Sequence, residues 1–145
     1  MYLTLLKSHS GLRWILLLSF ILTLVTFYRA AYSGKSSKNL KFYALFTLII
    51  THIQFLLGLS LYFISPKVIF ATSSMKVAVS RFYLVEHISL MLIAILLITI
   101  GYSKWKKINN VKSASKKLFT YYLIGLILIL ISIPWPFRDL GGAWF

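Results

Sequence analysis

The stretch Arg81–Gly101, RFYLVEHISLMLIAILLITIG, constrains the chain more than any other. It is long and apolar enough to cross a bilayer, since about 20 mostly apolar residues span the hydrocarbon core. It nevertheless carries Glu86 and His87 side by side. An ionisable group in lipid costs a few kcal/mol or more unless it faces a partner or a cavity. One side of this helix must therefore turn toward something polar. Glu86 is one of only two acidic residues in the chain, the other being Asp139.

Three further stretches resemble it in hydropathy. The four spans read as about 8–28, 42–64, 75–102 and 118–133, with a tail at 134–145. The second stops before Pro66, and the third starts either near Met75 or near Arg81. The chain has 145 residues, 59% of them hydrophobic, with mean hydropathy +0.85. A soluble domain of this size carries many more charged residues. The expected fold is a single all-α, antiparallel bundle of four transmembrane helices. The N-terminal MYLTLLKSHSGLRW shows no cleavage site and is expected to be retained.

Orientation follows from the bases. The first and third loops hold Arg29, Lys35, Lys38, Lys41, Lys104, Lys106, Lys107, Lys112, Lys116 and Lys117, ten of the 16. The positive-inside rule places these loops in the cytoplasm and both termini outside. A net charge of +14 invites a nucleic-acid reading. Here, however, the charges punctuate apolar spans instead of covering one soluble face, and no nucleic-acid partner is expected. Three of the four arginines, Arg13, Arg81 and Arg138, fall at the outer helix ends. Arginine grips carboxylates bidentately. With few internal acids to pair with, the set suits an anionic ligand, or else it snorkels to lipid phosphates.

Polar and small residues fall in stripes at helical spacing. Helix 1 shows Ser19, Thr23, Thr26 and Ala30. Helix 2 shows Ala44, Thr47, Thr51, Gln54, Gly58 and Ser65. Helix 3 shows Ser80, Tyr83, His87, Met91, Ala94, Ile98 and Gly101, and helix 4 shows Tyr122, Gly125, Ile129 and Ser132. Such stripes face other helices in membranes. His87 lies on its stripe, with Glu86 turned about 100° away. His52 lies a third of a turn off the stripe of helix 2. His9 and Arg13, four apart, share a side of helix 1.

Two registers are open for the histidines. If helix 3 starts near Met75, His52 and His87 both lie about 18 Å deep and could hold one metal between them. If it starts at Arg81, His87 is only about 9 Å deep and lies nearer His9. Each imidazole has the plainer alternative of bonding a neighbouring carbonyl or hydroxyl. Glu86 has the plainer alternative of pairing with Arg13 or Arg81.

The chain has no cysteine, which removes disulfides, thiolate metal sites and CxxCH haem attachment. It shows no hydrolase triad, HExxH motif, phosphate loop or GxxxG. Three histidines with Glu86 would suit copper or zinc. Gln54, Tyr62 and Tyr83 are placed to bond a quinone carbonyl. In the tail, Pro134 and Pro136 end helix 4, and Trp135, Phe137, Trp144 and Phe145 read as interfacial anchors. The alternative is a lid closed by Arg138 over an outward-facing site.

The set HSGLRW, HIQFLLGLSLYF, the EH of YLVEHISLM, and SIPWPFR resembles small four-helix membrane proteins of a cytochrome b-like kind over nearly the whole chain. More distantly, its histidine-bearing helices are similar to one half of haem A synthase. The resemblance implies a b-type haem ligated by His52 and His87, with His9 as a third candidate. It places Arg13, Arg81 and Arg138 near the propionates. Haem A synthase has two halves and a glutamate one turn from a ligand histidine. Here Glu86 adjoins His87 directly, which sets haem A synthesis aside. The expected role is an electron carrier, not a catalyst, in a bacterial cytoplasmic membrane, exchanging electrons with a quinone or a partner protein. The alternatives are a non-catalytic small subunit or assembly factor of a larger membrane complex, and a transporter or metal carrier.

Overall fold

The computed structural model describes residues 1–35, 37–142 and 144; Phe145, one of the expected anchors, lies outside the described residues. Four helices are long and apolar enough to cross a membrane: α1 (Tyr2–Tyr32), α2 (Leu40–Ile64), α3 (Ala78–Trp105) and α4 (Val111–Ser132). No strand occurs among the described residues. Short 3-10 turns at Thr72–Lys76 and Pro136–Arg138 lead into α3 and follow α4.

The helices extend beyond the apolar windows because water-exposed turns can also be helical. α4 starts at Val111, seven residues before the expected span, because Asn110 caps it. The Asn110 side chain accepts from the Ser113 amide at 2.9 Å, satisfying one orphan donor of the first turn. α2 ends where Pro66 forbids continuation.

The helices run antiparallel. Phe27 of α1 meets Trp105 at the end of α3, with ring centroids 5.6 Å apart. At the other end, His9, the C-terminal part of α2, His87 and Ser132 come together. Tyr2 and Trp144 lie at that second end. α1 packs on α2 and α4, and α3 packs on α4; the α2–α3 seam is the thinnest of the four.

Within the bundle the small and polar stripes face inward. Ser19, Thr23, Ala30, Ala44, Thr47, Thr51, Gln54, Ala94, Ile98, Gly101, Tyr122, Gly125, Ile129 and Ser132 are all buried. Glycine sets the close approach of α3 to α4. A β-carbon on Gly101 would stand 2.5 Å from the Cβ of Tyr121, and one on Gly125 would stand 2.7 Å from Ile98 Cγ1. Several of the polar members pair across helices. Thr23 Oγ1 lies 2.8 Å from Thr47 Oγ1 and 3.1 Å from the Tyr43 carbonyl, and the Tyr122 hydroxyl donates to the Ala44 carbonyl at 2.9 Å. Buried polar groups paired in this way lock the helices, their hydrogen bonds offsetting the cost of desolvation.

Candidate functional site: a slot at the terminal end

α3 does not run as an unbroken α-helix. Its segment Phe82–Glu86 is a π-helical turn immediately before His87. Such single wide turns recur at functional sites, where the extra residue re-aims side chains. The turn separates two neighbours that compete for direction. Glu86 goes to the surface, where its Oε1 accepts from Arg81 Nε at 2.8 Å, both side chains being about two-fifths exposed. His87 goes inward, its Nδ1 2.8 Å from the Ser132 carbonyl at the end of α4.

His87 faces a slot of about 190 Å³ between α2 and α3, at the end that bears the termini. On α3 the lining runs from Tyr83 to Ile95, about 18 Å of helix. The walls are mostly apolar: Leu6, Leu16, Phe55, Leu59, Ile88 and Met91 are among them. His9, reaching in from α1, stands opposite His87. The two ring centroids are 6.5 Å apart and the ring planes are at 79°. Gly58 of α2 makes room for His9, since a β-carbon there would come within 3.0 Å of its Cε1. Gln54 holds the same turn of α1 by donating Nε2 to the His9 carbonyl at 2.7 Å.

Two buried polar atoms lining this slot have no hydrogen-bond partner among the described residues: His9 Nδ1 and Gln54 Oε1. Such atoms are rare in native structures. The rim carries two cations. Arg13, 8% exposed, donates Nη2 to the Trp144 carbonyl at 2.7 Å, and its guanidinium lies 5.3 Å from the Trp14 ring centroid. Lys67 donates Nζ to the Gly141 carbonyl and lies 5.1 Å from the Tyr83 ring centroid. No aspartate or glutamate lines the slot among the described residues.

The structure therefore brings together His9, His87 and Arg13, three of the residues singled out in the sequence. It also brings in Gln54, Tyr62 and Tyr83, the residues placed to bond a quinone carbonyl, but not His52, Arg81, Arg138 or Glu86. His52 lies deeper in the bundle, with Nδ1 2.8 Å from its own helix's Leu48 carbonyl and Nε2 3.5 Å from Thr99 Oγ1. Thr99 is about 18 Å along α3 from His87, so His52 and His87 are not opposed. The helix starts at Ala78, midway between the two expected starts, and His87 lies beside His9. Arg81 is engaged with Glu86. Arg138 caps the end of α4, donating Nη1 to the Ile131 carbonyl and, at 3.1 Å, to that of Ile133, with its guanidinium over the Phe82 ring. Neither arginine lines the slot. Lys67 does, and only the fold brings it there: after Pro66 the chain turns back over the end of α2.

No family model, curated protein or solved structure matches this chain.

The donor set suits some groups better than others. Among the described residues no three His, Cys, Asp or Glu side chains converge, so the copper or zinc set of three histidines and Glu86 is not assembled. Two imidazoles would suit a b-type haem, and His9 and His87, with ring centroids 6.5 Å apart, are the pair the slot brings together. The unpartnered His9 Nδ1, the Gly58 cradle and the apolar walls fit the same group. His87 Nδ1, when protonated, donates to the Ser132 carbonyl. That fixes the tautomer with Nε2 available to a metal, the usual outer-shell arrangement for a ligating histidine.

Proposed function

We propose that this protein is an integral membrane electron carrier whose slot would hold one b-type haem through His9 and His87. The observation that carries the reading is the imidazole pair, 6.5 Å apart, facing across an elongated apolar cavity. The bound haem would supply one-electron chemistry. The chain's own part is to hold and tune it. Ser132 orients His87, while Gln54 and Gly58 orient His9. Burial and the charges of Arg13 and Lys67 shift the potential. The four apolar helices support residence in a bilayer, and the basic loops support placing the slot toward the outer leaflet. The resemblance of HSGLRW and YLVEHISLM to cytochrome b-like proteins points the same way. A quinone or a partner protein in the membrane is the proposed exchange partner, reached at the slot mouth.

The test is a reduced-minus-oxidised spectrum of protein purified in mild detergent after expression with ample haem supply. The expected result is b-type bands in the wild type. Pigment-free wild-type protein that also fails to take up added haemin would overturn the reading. A small subunit of a larger complex is the second reading, favoured by the thin α2–α3 seam. It predicts that His9→Ala and His87→Ala proteins still co-purify with a fixed set of partners and sustain function.

A further inference from the structure

At the opposite end from the slot, the connection between α1 and α2 borders a polar cleft of about 370 Å³. Its lining is Thr26 and Arg29 of α1, Lys35 and Ser37 of the connection, and Tyr43 of α2. Three hydroxyl side chains and two cations thus share one space, and no acid lines it among the described residues. The chain around the cleft is pinned. The Ser33 amide donates to the Arg29 carbonyl at 3.0 Å, Gly34 turns the chain at φ 67°, and the Asn39 amide donates to Ser37 Oγ at 3.1 Å. Thr23 Oγ1 donates to the Tyr43 carbonyl at 3.1 Å, tying α2 to α1.

Neither cation has a carboxylate side chain to pair with. The two acids of the sequence lie toward the slot end. Glu86 pairs with Arg81, and Asp139 sits in the turn after α4, where it and Gly141 are left-handed at φ 53° and 67°. Apolar surface adjoins the cleft on its bilayer side. Leu22 and Val25 precede Arg29 by two turns and one turn of α1, on the same face, and are exposed. Phe46, one turn after Tyr43 on α2, is exposed as well.

We propose that this cleft binds a phosphodiester anion, the headgroup of an anionic phospholipid whose acyl chains lie against Leu22, Val25 and Phe46. Arginine grips phosphate oxygens bidentately, and lysine adds a second charge. The hydroxyls of Thr26, Ser37 and Tyr43 complete the polar lining. Basic pockets between transmembrane helices hold lipid headgroups by this chemistry. A zwitterionic headgroup suits the cleft less well, because its ammonium would meet Arg29 and Lys35 with no carboxylate to receive it. A free phosphate ion matches the polar half of the site and not the apolar half. The site is separate from the slot and does not depend on a haem.

Native mass spectrometry of the protein in mild detergent tests this, with dioleoyl phosphatidylglycerol titrated against dioleoyl phosphatidylcholine. The wild type is expected to hold its first phosphatidylglycerol about tenfold more tightly than phosphatidylcholine. The double variant Arg29→Gln/Lys35→Gln is expected to lose most of that preference. Lys107→Gln/Lys112→Gln removes two charges from the same end, outside the cleft, and is expected to keep it. A second measurement needs no variant. Phosphatidylglycerol, and not phosphatidylcholine, is expected to slow modification of Arg29 by phenylglyoxal, read by peptide mass spectrometry. Inorganic phosphate at the same concentration separates the two sources of the anion, and is expected to leave Arg29 unshielded.

The inference is overturned if the wild type shows no preference, if the folded cleft variant keeps it, or if the Lys107/Lys112 variant loses as much. It is equally overturned if phosphatidylglycerol leaves Arg29 as reactive as before. Shielding by inorganic phosphate without shielding by the lipid makes the ligand a soluble anion and removes the lipid assignment.

Discussion

At the residue scale, the three histidines differ in what their second nitrogen meets. His87 has Nδ1 on the Ser132 carbonyl, and His9 has an unsatisfied Nδ1 against Gly58. His52 has both nitrogens near acceptors deep in the bundle. In haem-loaded preparations, His9→Ala and His87→Ala should each lose the low-spin b-type bands, and His52→Ala should keep them. Retention in His9→Ala with loss in His52→Ala would reverse the ligand assignment. Glu86 belongs to the surface. Glu86→Gln should change the unfolding free energy by no more than an exposed ion pair is worth, about 0–1 kcal/mol, and leave the spectrum unaltered. Sequence spacing could show that His9 and Arg13 share a side of α1, but not which histidine opposes His87. That depends on axial register, and a hydropathy window fixes a span only to within a turn or two. Lys67 was illegible for a different reason: its place depends on how the chain turns after Pro66, not on any periodicity.

At the element scale, the helices and their inward faces were readable, because period-3.6 stripes of small and polar residues have few other uses in a membrane chain. Tyr122, Gly125, Ile129 and Ser132 are all buried, as their spacing implied. The glycines on these stripes are contact points. Gly101→Ala would push a methyl into the Cβ of Tyr121. It should destabilise the bundle by about 1–3 kcal/mol, seen as a lower melting temperature in detergent, with the histidine pair undisturbed. Tyr122→Phe removes one buried hydrogen bond and leaves the Ala44 carbonyl without this donor. It should cost about 1 kcal/mol by the same measurement. The π-turn in α3 was not legible. Nothing in RFYLVEH requires it locally.

At the scale of the whole molecule, the basic loops lie at one end and the slot at the other. The chain has no cysteine, so single substitutions report sidedness cleanly. In right-side-out vesicles, a membrane-impermeant thiol reagent should label Ser73→Cys at the slot end and spare Lys107→Cys until the membrane is opened. Equal labelling of both, or the reverse order, would contradict the proposed orientation. Four spans and a tail were visible in the sequence, but the tail's fold over the slot was not. It rests on two left-handed residues and on backbone contacts that composition does not encode. The threonine pair Thr23–Thr47 and the Tyr122 clasp sit away from the slot, toward the loop end, and owe nothing to any occupant. The scaffold is therefore self-supporting at that end, where α1, α2 and α4 are tied together whatever the slot holds.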